Sequence, residues 1–369
     1  MKPPAPNVPP ALRPFGPDMR DVGGPRQPLY IVKDLVKHFT VGGGRLGRAA
    51  VVQAVDGVNF DVHKGETLGV VGESGCGKST MGRLLIRLVR PDRGELILDG
   101  EEVGAPDGIT VRQLQRNVQM VFQDSYMSLN PRLTVEDTIA FGPRANAVRR
   151  DEARERAHNT LTMVGLRPEL FAQRYPHELS GGQRQRVNIA RALAMNPRML
   201  ILDEAVSALD KSIGAQVINL LQDLKRHLSL TYFFISHDLG VVRYISDRVL
   251  VMYLGKVVEI GSVDAVYDNP RHPYTRALLA SQLSMNATER RTKPPLLGDP
   301  PSSINPPTGC RFRTRCPLAE EICANREPEL VGFARDSLVA CHAATPGSGH
   351  ASAPPLCPQH TAKASARMT

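Results

Sequence analysis

The chain has few of the features that place a protein inside a membrane or outside the cell. Among its 369 residues, every long apolar run is interrupted by charge before about 18 residues, so we expect no transmembrane helix. Residues 1–28 are rich in proline and contain no apolar core segment, so we expect no signal peptide. Six cysteines are too few for a disulfide scaffold in a chain of this length. We therefore expect a cytoplasmic protein that reaches a membrane only by docking to other subunits.

The charge of the chain also lacks a pattern. Its net charge of +9 would suit nucleic acid, anionic lipid or phosphate ligands. The charged residues form no run longer than a few positions, which favours a solvated surface over a dedicated binding patch. No internal repeat is present, and 41% hydrophobic residues are enough for one large α/β domain with appendages.

Apolar strands and helical patterns alternate through the middle of the chain. Residues 29–71 are typical of short strands with glycine-rich turns, including a loop at 42–45. Further apolar strands are predicted at 67–71, 199–202 and 231–235. Between them, helical spacing joins Met81, Leu84, Leu85 and Leu88, then residues 187–195, then Ile213, Val217, Leu220, Leu224 and Leu228. This alternation predicts an α/β fold with a mostly parallel sheet.

The segment Gly72-Glu73-Ser74-Gly75-Cys76-Gly77-Lys78-Ser79 follows the first of these strands and precedes a helix. Glycine lets the backbone curl so that successive N–H groups converge on one anion, and the helix directs its positive end to the same place. Lys78 would then reach the β- and γ-phosphates, and Ser79 would ligate Mg²⁺. A chance glycine-rich turn is the alternative, but the flanking strand and helix argue against it.

Two carboxylates, Asp203 and Glu204, end the apolar strand that begins at Met199. Asp203 can hold Mg²⁺ through water, and Glu204 is placed to polarise an attacking water. Both could instead cap a helix start. The phosphate loop makes the catalytic interpretation the better one.

These motifs, together with Gln123, Leu179-Ser180-Gly181-Gly182-Gln183 and His237 in this order, resemble the nucleotide-binding subunit of an ABC transporter. The resemblance implies an α/β ABC-type domain, with a RecA-like mostly parallel sheet, an antiparallel β subdomain and a helical subdomain. It implies that Gln123 and His237 sense the γ-phosphate. Together with Glu204, these two residues are the expected catalytic residues. It also implies Mg²⁺ ligation by Ser79, Gln123 and Asp203.

The resemblance further implies a head-to-tail dimer that sandwiches two ATP molecules. Ser180 and Gly182 would contact the γ-phosphate on the opposite subunit, and Asp210 would lie in the loop that crosses the interface. Phe39 stands where the family stacks an aromatic ring on adenine, although a core phenylalanine is the alternative. The expected nucleotide contacts are Phe39, Gly72, Ser74, Gly75, Cys76, Gly77, Lys78, Ser79, Thr80, Ser180, Gly181, Gly182, Gln183 and Asp210.

Within this family, the chain is most similar to ATP-binding subunits of dipeptide and oligopeptide importers, over about residues 29–342. The segment from Gln123 to Arg132 and the tetrad His272-Pro273-Tyr274-Thr275 carry that similarity, and the signature region looks like the F-type subunit. The implied partners are a second ATPase subunit, two membrane permeases and an extracytoplasmic peptide-binding protein, with the chain at the cytoplasmic face of the membrane. Ala205 and Ser125 replace common prolines, and neither change removes a catalytic group.

Four further cysteines, Cys310, Cys316, Cys323 and Cys341, lie close to the C-terminus. Their spacing is not that of a zinc finger, but four thiolates suit an iron–sulfur cluster or zinc. The resemblance implies a [4Fe–4S] cluster, and reduced structural thiols or disulfides are the alternatives.

The chain is predicted to comprise four segments. It comprises a flexible arm at 1–28, an ABC ATPase domain at 29–262 with its helical subdomain at about 125–190, a cysteine-containing extension at 263–342 with a linker at 294–309, and a disordered tail at 343–369. The chain is expected to power import of dipeptides or oligopeptides. A nickel or other small-solute importer and a soluble ABC ATPase acting on nucleic acid are the alternatives. The last alternative is disfavoured because the chain has neither a second nucleotide domain nor a large insertion.

Overall fold

Alternating apolar and amphipathic segments set the order of the elements. The structure, a computed structural model, describes residues 27–42, 49–124, 126–281, 298–299, 301–334 and 337–355. The strands are β1 (Pro28–Val41), β2 (Ala50–His63), β3 (Thr67–Val71), β4 (Arg93–Leu98), β5 (Glu101–Glu102), β6 (Val118–Val121), β7 (Met199–Asp203), β8 (Thr231–Ile235), β9 (Arg248–Tyr253), β10 (Lys256–Ser262), β11 (Val331–Ala334) and β12 (Ser337–Val339).

Helices lie between and after these strands. They are α1 (Lys78–Leu85), α2 (Val111–Asn117), α3 (Val135–Ala145), α4 (Arg150–Met163), α5 (Pro168–Phe171), α6 (Gly181–Leu193), α7 (Lys211–Leu228), α8 (Leu239–Ile245), α9 (Val263–Asp268), α10 (Pro273–Ala280) and α11 (Glu321–Asn325), with a 3₁₀ turn at Pro176–Glu178. Within the described ranges, no helix combines the length and apolar character needed to cross a bilayer.

The described residues divide into two compact units. The first unit contains the described residues up to Val36, then Gly57–Val70 and Lys78–Asp247. The second unit contains Lys37–Asp56, Val71–Gly77 and the described residues from Arg248 onward.

The first unit is built on a parallel sheet with the order β3, β8, β7, β6. All five residues of β3, β7 and β8 are buried, as expected of parallel strands covered on both faces. In the register, Val121 of β6 lies beside Leu202, and Asp203 lies beside Ile235 of β8. The carboxyl ends of these strands therefore meet at one edge of the sheet.

A second sheet has the order β2, β1, β4, β5, with β1 antiparallel to β4. The expectation of short strands over 29–71 was wrong, because β1 and β2 each run for 14 residues. Their valine-rich alternation suits a pleated surface with one buried face. β1 begins at Pro28, inside the predicted arm, because proline is tolerated as the first residue of a strand.

Local capping fixes the helices between β6 and β7, where α3 packs against α4 and α6. The Thr134 hydroxyl accepts a hydrogen bond from the Asp137 N–H at 3.1 Å, and the acidic first turn complements the helix dipole. One predicted helical position was wrong: Leu88 lies beyond the end of α1 and is 55% exposed. The helical spacing continued past a turn at Arg87, whose φ of 56° ends the helix.

The second unit contains an antiparallel sheet with the order β9, β10, β12, β11. β11 and β12 were not predicted, because such short strands carry too little periodicity. The tail was predicted to be disordered from 343, but residues 343–355 form described turns. His350 is 5% exposed there, and its Nε2 lies 2.7 Å from the Leu318 carbonyl oxygen. The arm at 1–26, the loop at 43–48, residues 282–297 and the tail from 356 fall outside the described residues.

A buried ion cluster in the first unit gives a stability prediction. Asp99 is 1% exposed and lies 2.7 Å from Lys64 Nζ and 3.0 Å from Arg198 Nη1. Asp99 has a φ of 52°, which asparagine tolerates, so Asp99→Asn keeps the backbone but removes the negative charge that faces the buried Arg198 and the half-buried Lys64. We expect a loss on the order of 3 kcal/mol in the free energy of unfolding, measured by urea denaturation with circular dichroism.

The matched control is Lys33→Ala, which removes an exposed pair with Glu95 at 3.8 Å. That change should cost less than about 1 kcal/mol. Equal effects of the two substitutions would contradict the importance of the buried cluster.

Candidate functional site

The glycine loop of the second unit has a backbone that only glycine can adopt at two positions. Gly77 has a φ of 107°, and a Cβ there would lie 2.1 Å from the Ala54 carbonyl oxygen. Gly72 has a φ of 152°, and a Cβ there would lie 2.3 Å from the Met252 carbonyl oxygen. The Gly255 N–H donates to the Cys76 carbonyl oxygen at 2.9 Å, which closes the loop from the other side. Such a loop can direct several N–H groups at one anion.

In the first unit, α1 begins at Lys78 and brings a hydroxyl to the end of β7. Lys78 is 6% exposed, and the Ser79 Oγ donates to Asp203 Oδ1 at 2.9 Å. Burial raises the pKa of Asp203, although the hydrogen bond from Ser79 opposes the shift. A cation would offset the cost of the buried charge, and hydroxyl and carboxylate oxygens are ligands that Mg²⁺ prefers. Ser79 and Asp203 therefore fit the predicted metal.

Two predicted catalytic side chains, those of Gln123 and His237, converge on one carboxylate oxygen of the third, Glu204. Glu204 Oε2 accepts a hydrogen bond from Gln123 Nε2 at 2.8 Å and lies 3.4 Å from His237 Nδ1. Each residue follows a different strand of the parallel sheet, β6, β7 or β8. The carboxylate can thus exchange a proton with a water held by the amide and the imidazole.

The backbone at Glu204 is strained. Its φ of 48° lies in the left-handed region, which is rare for a residue with a side chain. The Glu204 N–H donates to the Ile235 carbonyl oxygen at 3.0 Å, and the Ser207 N–H donates to the Glu204 carbonyl oxygen at 3.1 Å. These bonds hold the turn, which directs the carboxylate away from the strand.

The serine-glycine signature forms the exposed start of α6. Ser180 Oγ accepts from the Gln183 N–H at 3.4 Å, and the Gln183 side chain accepts from the Ser180 N–H at 2.9 Å. A Cβ at Gly182 would lie 2.6 Å from Ile213 Cγ2, so this turn has no room for a side chain. Asp210 precedes α7, is exposed, and makes no side-chain capping bond. Ser180, Gly181 and Asp210 are therefore exposed, whereas Gly182 is buried.

Phe39 and Thr80 are half-buried. The Lys37 Nζ lies 5.4 Å from the centroid of the Phe39 ring. The ring therefore keeps exposed surface that a planar base could cover.

The four C-terminal cysteines are free thiols in the second unit. Burial raises the pKa of Cys310 to about 12, and the neighbouring thiols add to the shift. The pKa values of Cys316 and Cys341 are raised for the same reasons. Within the part of the chain that the structure describes, no three His, Cys, Asp or Glu side chains are arranged to hold a metal ion. The arrangement therefore lends no support to the predicted cluster.

Two residues that contact the phosphate loop were not identified from the sequence. Arg315 donates two hydrogen bonds to the Glu73 carboxylate, at 2.8 and 3.0 Å. The Tyr274 Oη accepts from the Glu73 N–H at 2.9 Å. Tyr274 belongs to the tetrad His272–Thr275, to which the sequence analysis assigned no role. Arg315 precedes Cys316, and the sequence analysis considered only the cysteine.

Two family profiles match the chain. Residues 55–207 match the family described as ABC transporter. Residues 258–323 match the family described as the C-terminal region of oligopeptide/dipeptide transporters.

Curated relatives extend the similarity over most of the chain. It is 50% identical over 323 residues to the oligopeptide transport ATP-binding protein AppF of Bacillus subtilis, covering 86% of this chain and 98% of AppF. It is 47% identical over 315 residues to the di/tripeptide transport ATP-binding protein DppF of Pseudomonas aeruginosa, covering 85% of this chain and 97% of DppF.

Solved structures share the fold. The dimeric ATP-binding cassette MJ0796, in a post-hydrolysis state with ADP and Pi, is 30% identical, with a TM-score of 0.54 over 63% of this chain and 98% of MJ0796. CbiO1 of Clostridium perfringens, part of the transporter complex cbiONQ, is 28% identical, with a TM-score of 0.56 over 66% of this chain and 92% of CbiO1. The predicted fold class is confirmed.

The raised thiol pKa values predict slow alkylation. Because only the thiolate reacts, we expect Cys310, Cys316 and Cys341 of the folded, metal-free chain to react with iodoacetamide at neutral pH at least about tenfold more slowly than in urea. The folded rate should keep rising with pH after the unfolded rate has levelled off near an ordinary thiol pKa of about 8.5. Mass spectrometry of the modified peptides measures both rates, and coinciding pH profiles would contradict the raised pKa values.

Proposed function

The chain belongs to the ATP-binding proteins of ABC transporters, in the oligopeptide and dipeptide group, and from this premise we propose how its residues use ATP to drive peptide uptake. It is an ATPase subunit of a peptide importer. The single observation that carries the proposed mechanism is the convergence of Gln123 and His237 on Glu204 Oε2.

The proposed nucleotide site uses the phosphate loop and the start of α1. Backbone N–H groups of the loop from Gly72 to Gly77, other than that of Glu73, bind the β- and γ-phosphates together with Lys78, and Phe39 stacks on the adenine. Ser79, Asp203 and Gln123 would hold Mg²⁺, and the bound ion would supply charge screening for the phosphates. The remaining contacts come from Ser74, Cys76 and Thr80.

Hydrolysis requires a water in line with the γ-phosphorus. Glu204 accepts a proton from this water while the water oxygen forms a bond to the γ-phosphorus. The bond between the γ-phosphorus and the bridging oxygen then breaks, which releases ADP and phosphate. Gln123 and His237 orient the water and the γ-phosphate.

The proposed working form is a head-to-tail dimer of nucleotide domains. The exposed Ser180 and the adjacent glycines contact the γ-phosphate bound to the opposite subunit, and Asp210 lies at the interface. The dimeric state of the MJ0796 cassette supports this arrangement. ATP binding closes the dimer and product release reopens it, which switches the permeases between their two states.

The proposed partners are a second ATPase subunit, two permeases and an extracytoplasmic peptide-binding protein, with the chain peripheral to the cytoplasmic face of the membrane. Exposed apolar side chains near Gln123 and on α3 support permease docking. Tyr126, Met127 and Phe141 are 63%, 81% and 64% exposed. The named relatives favour peptide cargo over nickel or nucleic acid.

Iron–sulfur binding by Cys310, Cys316, Cys323 and Cys341 is a proposal that only the donor set supports. Thiolates suit such a cluster, whereas the described positions do not form a ligand group. Iron analysis of anaerobically purified chain decides between about four iron atoms per chain and none.

Glu204→Gln tests the catalytic assignment. Removing the proton acceptor should lower the ATPase rate by about 100-fold or more while ATP still binds, so the variant should accumulate as an ATP-bound dimer. Size-exclusion chromatography with light scattering measures the dimer. Lys78→Ala is the control that should lose ATP binding and the dimer together. Wild-type turnover in Glu204→Gln would remove the residue from this role.

Met127→Ser with Phe141→Ser tests the docking surface. Two apolar side chains of this size should contribute roughly 2–4 kcal/mol when buried by a partner, so co-purification with permeases should fall sharply. The control is Tyr244→Ser, which changes a 61% exposed residue on α8 and should leave co-purification intact. Unchanged recovery of permeases with the double variant would rule out this surface.

A further inference from the structure

Glu73 is an acidic residue within an anion-binding loop. It lies directly after Gly72, within the segment proposed to bind the phosphates of ATP. A free carboxylate there would repel a triphosphate, because like charges a few ångströms apart interact strongly where water is partly excluded. Glu73 therefore needs a cation that neutralises it and fixes its direction.

Arg315 supplies that cation from the C-terminal region. Its guanidinium forms a two-point contact with Glu73, Nη1 to Oε2 at 2.8 Å and Nη2 to Oε1 at 3.0 Å. The arginine side chain is 6% exposed and the glutamate side chain 20%. Two-point arginine–carboxylate pairs are among the strongest charge-assisted contacts and fix geometry as well as charge.

An aromatic cluster holds the same residue by its backbone. The Tyr274 Oη accepts from the Glu73 N–H at 2.9 Å, so this N–H is not directed at a ligand. Tyr274 is fully buried, with its ring centroid 4.6 Å from that of Tyr253 and 5.4 Å from that of Phe312. The Arg315 guanidinium lies 6.0 Å from the centroid of the Tyr253 ring. Burial lowers the pKa of the adjacent His272 to about 3, so the cluster adds no positive charge of its own.

The segment that carries Arg315 is itself anchored. Arg311 donates to the Gln53 Oε1 at 2.6 Å and also contacts Asp56 and the Leu254 carbonyl oxygen. Lys256 Nζ lies 3.0 Å from Asp56 Oδ2. These contacts hold Arg311 in place, and Arg315 follows only four residues later in the chain.

We propose that Arg315 is a positioning residue for ATP, which neutralises Glu73 and fixes the phosphate loop, so that the C-terminal region completes the nucleotide site. The inference rests on the proposed binding of ATP at this loop. Without Arg315, the Glu73 carboxylate turns toward the phosphates and weakens ATP binding through repulsion. The effect lies in ground-state binding, so the KM for ATP changes and kcat does not.

The test compares Mg-ATP binding, by isothermal titration calorimetry, and steady-state ATPase kinetics across a set of purified variants. Arg315→Ala should weaken ATP binding about tenfold, with a matching rise in KM and kcat within about twofold. Arg315→Lys keeps the charge and should recover most of the loss. Arg313→Ala is the matched control, since Arg313 lies two residues away and its Nε donates to the Thr308 carbonyl oxygen.

Adding Glu73→Gln to Arg315→Ala separates neutralisation from packing. If Arg315 acts by cancelling the carboxylate, the double variant should bind ATP within about threefold of wild type. The deficit of Arg315→Ala should also shrink when ionic strength is raised from about 50 to about 500 mM, because salt screens the repulsion. If Arg315 had a purely structural role, neither the added Glu73→Gln substitution nor the higher ionic strength would restore ATP binding.

Two outcomes overturn the inference. One is wild-type ATP binding by Arg315→Ala. The other is a double variant that binds as weakly as Arg315→Ala at every ionic strength. Lys78→Ala, measured in parallel, distinguishes a deeper failure: if it binds ATP as wild type does, the proposed nucleotide site itself is wrong.

Discussion

The parallel register of β6, β7 and β8 is the constraint on which the catalytic group depends. Val121 lies beside Leu202 and Asp203 beside Ile235, so the residues that follow these strands emerge at one edge. A slip of one residue would turn Asp203 to the opposite face of the sheet. The contacts of Glu204 Oε2 with Gln123 and His237 exist only in this register, and full burial of β7 and β8 makes a slip costly.

The short buried strands β3, β7 and β8 could be predicted from the sequence because they are continuous apolar runs. The motifs could be predicted because functional residues directly follow these strands. The convergence of Gln123, Glu204 and His237 could be expected only from the order of motifs, since more than 30 residues separate each from the next. The length of the two N-terminal strands, the turns at 343–355 and the short strands β11 and β12 were missed. These elements depend on contacts distant in sequence, which no local pattern reports.

Arg315 illustrates the same limit at a site. An arginine beside a cysteine carries no signal of its own, and Glu73 lies 242 residues away in sequence. Their pairing joins the region that distinguishes peptide transporters to the loop shared by ABC proteins. It also puts the buried thiols close in sequence to a residue that shapes the loop, since Cys316 directly follows Arg315. Burial raises the pKa values of Cys310 and Cys316, which favours the protonated and less reactive form of these two thiols.

The most direct test of the central claim is the ATPase rate of the complex purified with this chain from its native membrane and reconstituted in lipid vesicles. The rate is measured with and without a peptide-loaded binding protein. We expect peptide to raise the rate several-fold, and Lys78→Ala to abolish the response. Hydrolysis indifferent to peptide, with the chain recovered on nucleic acid and without membrane subunits, would contradict a role in peptide import.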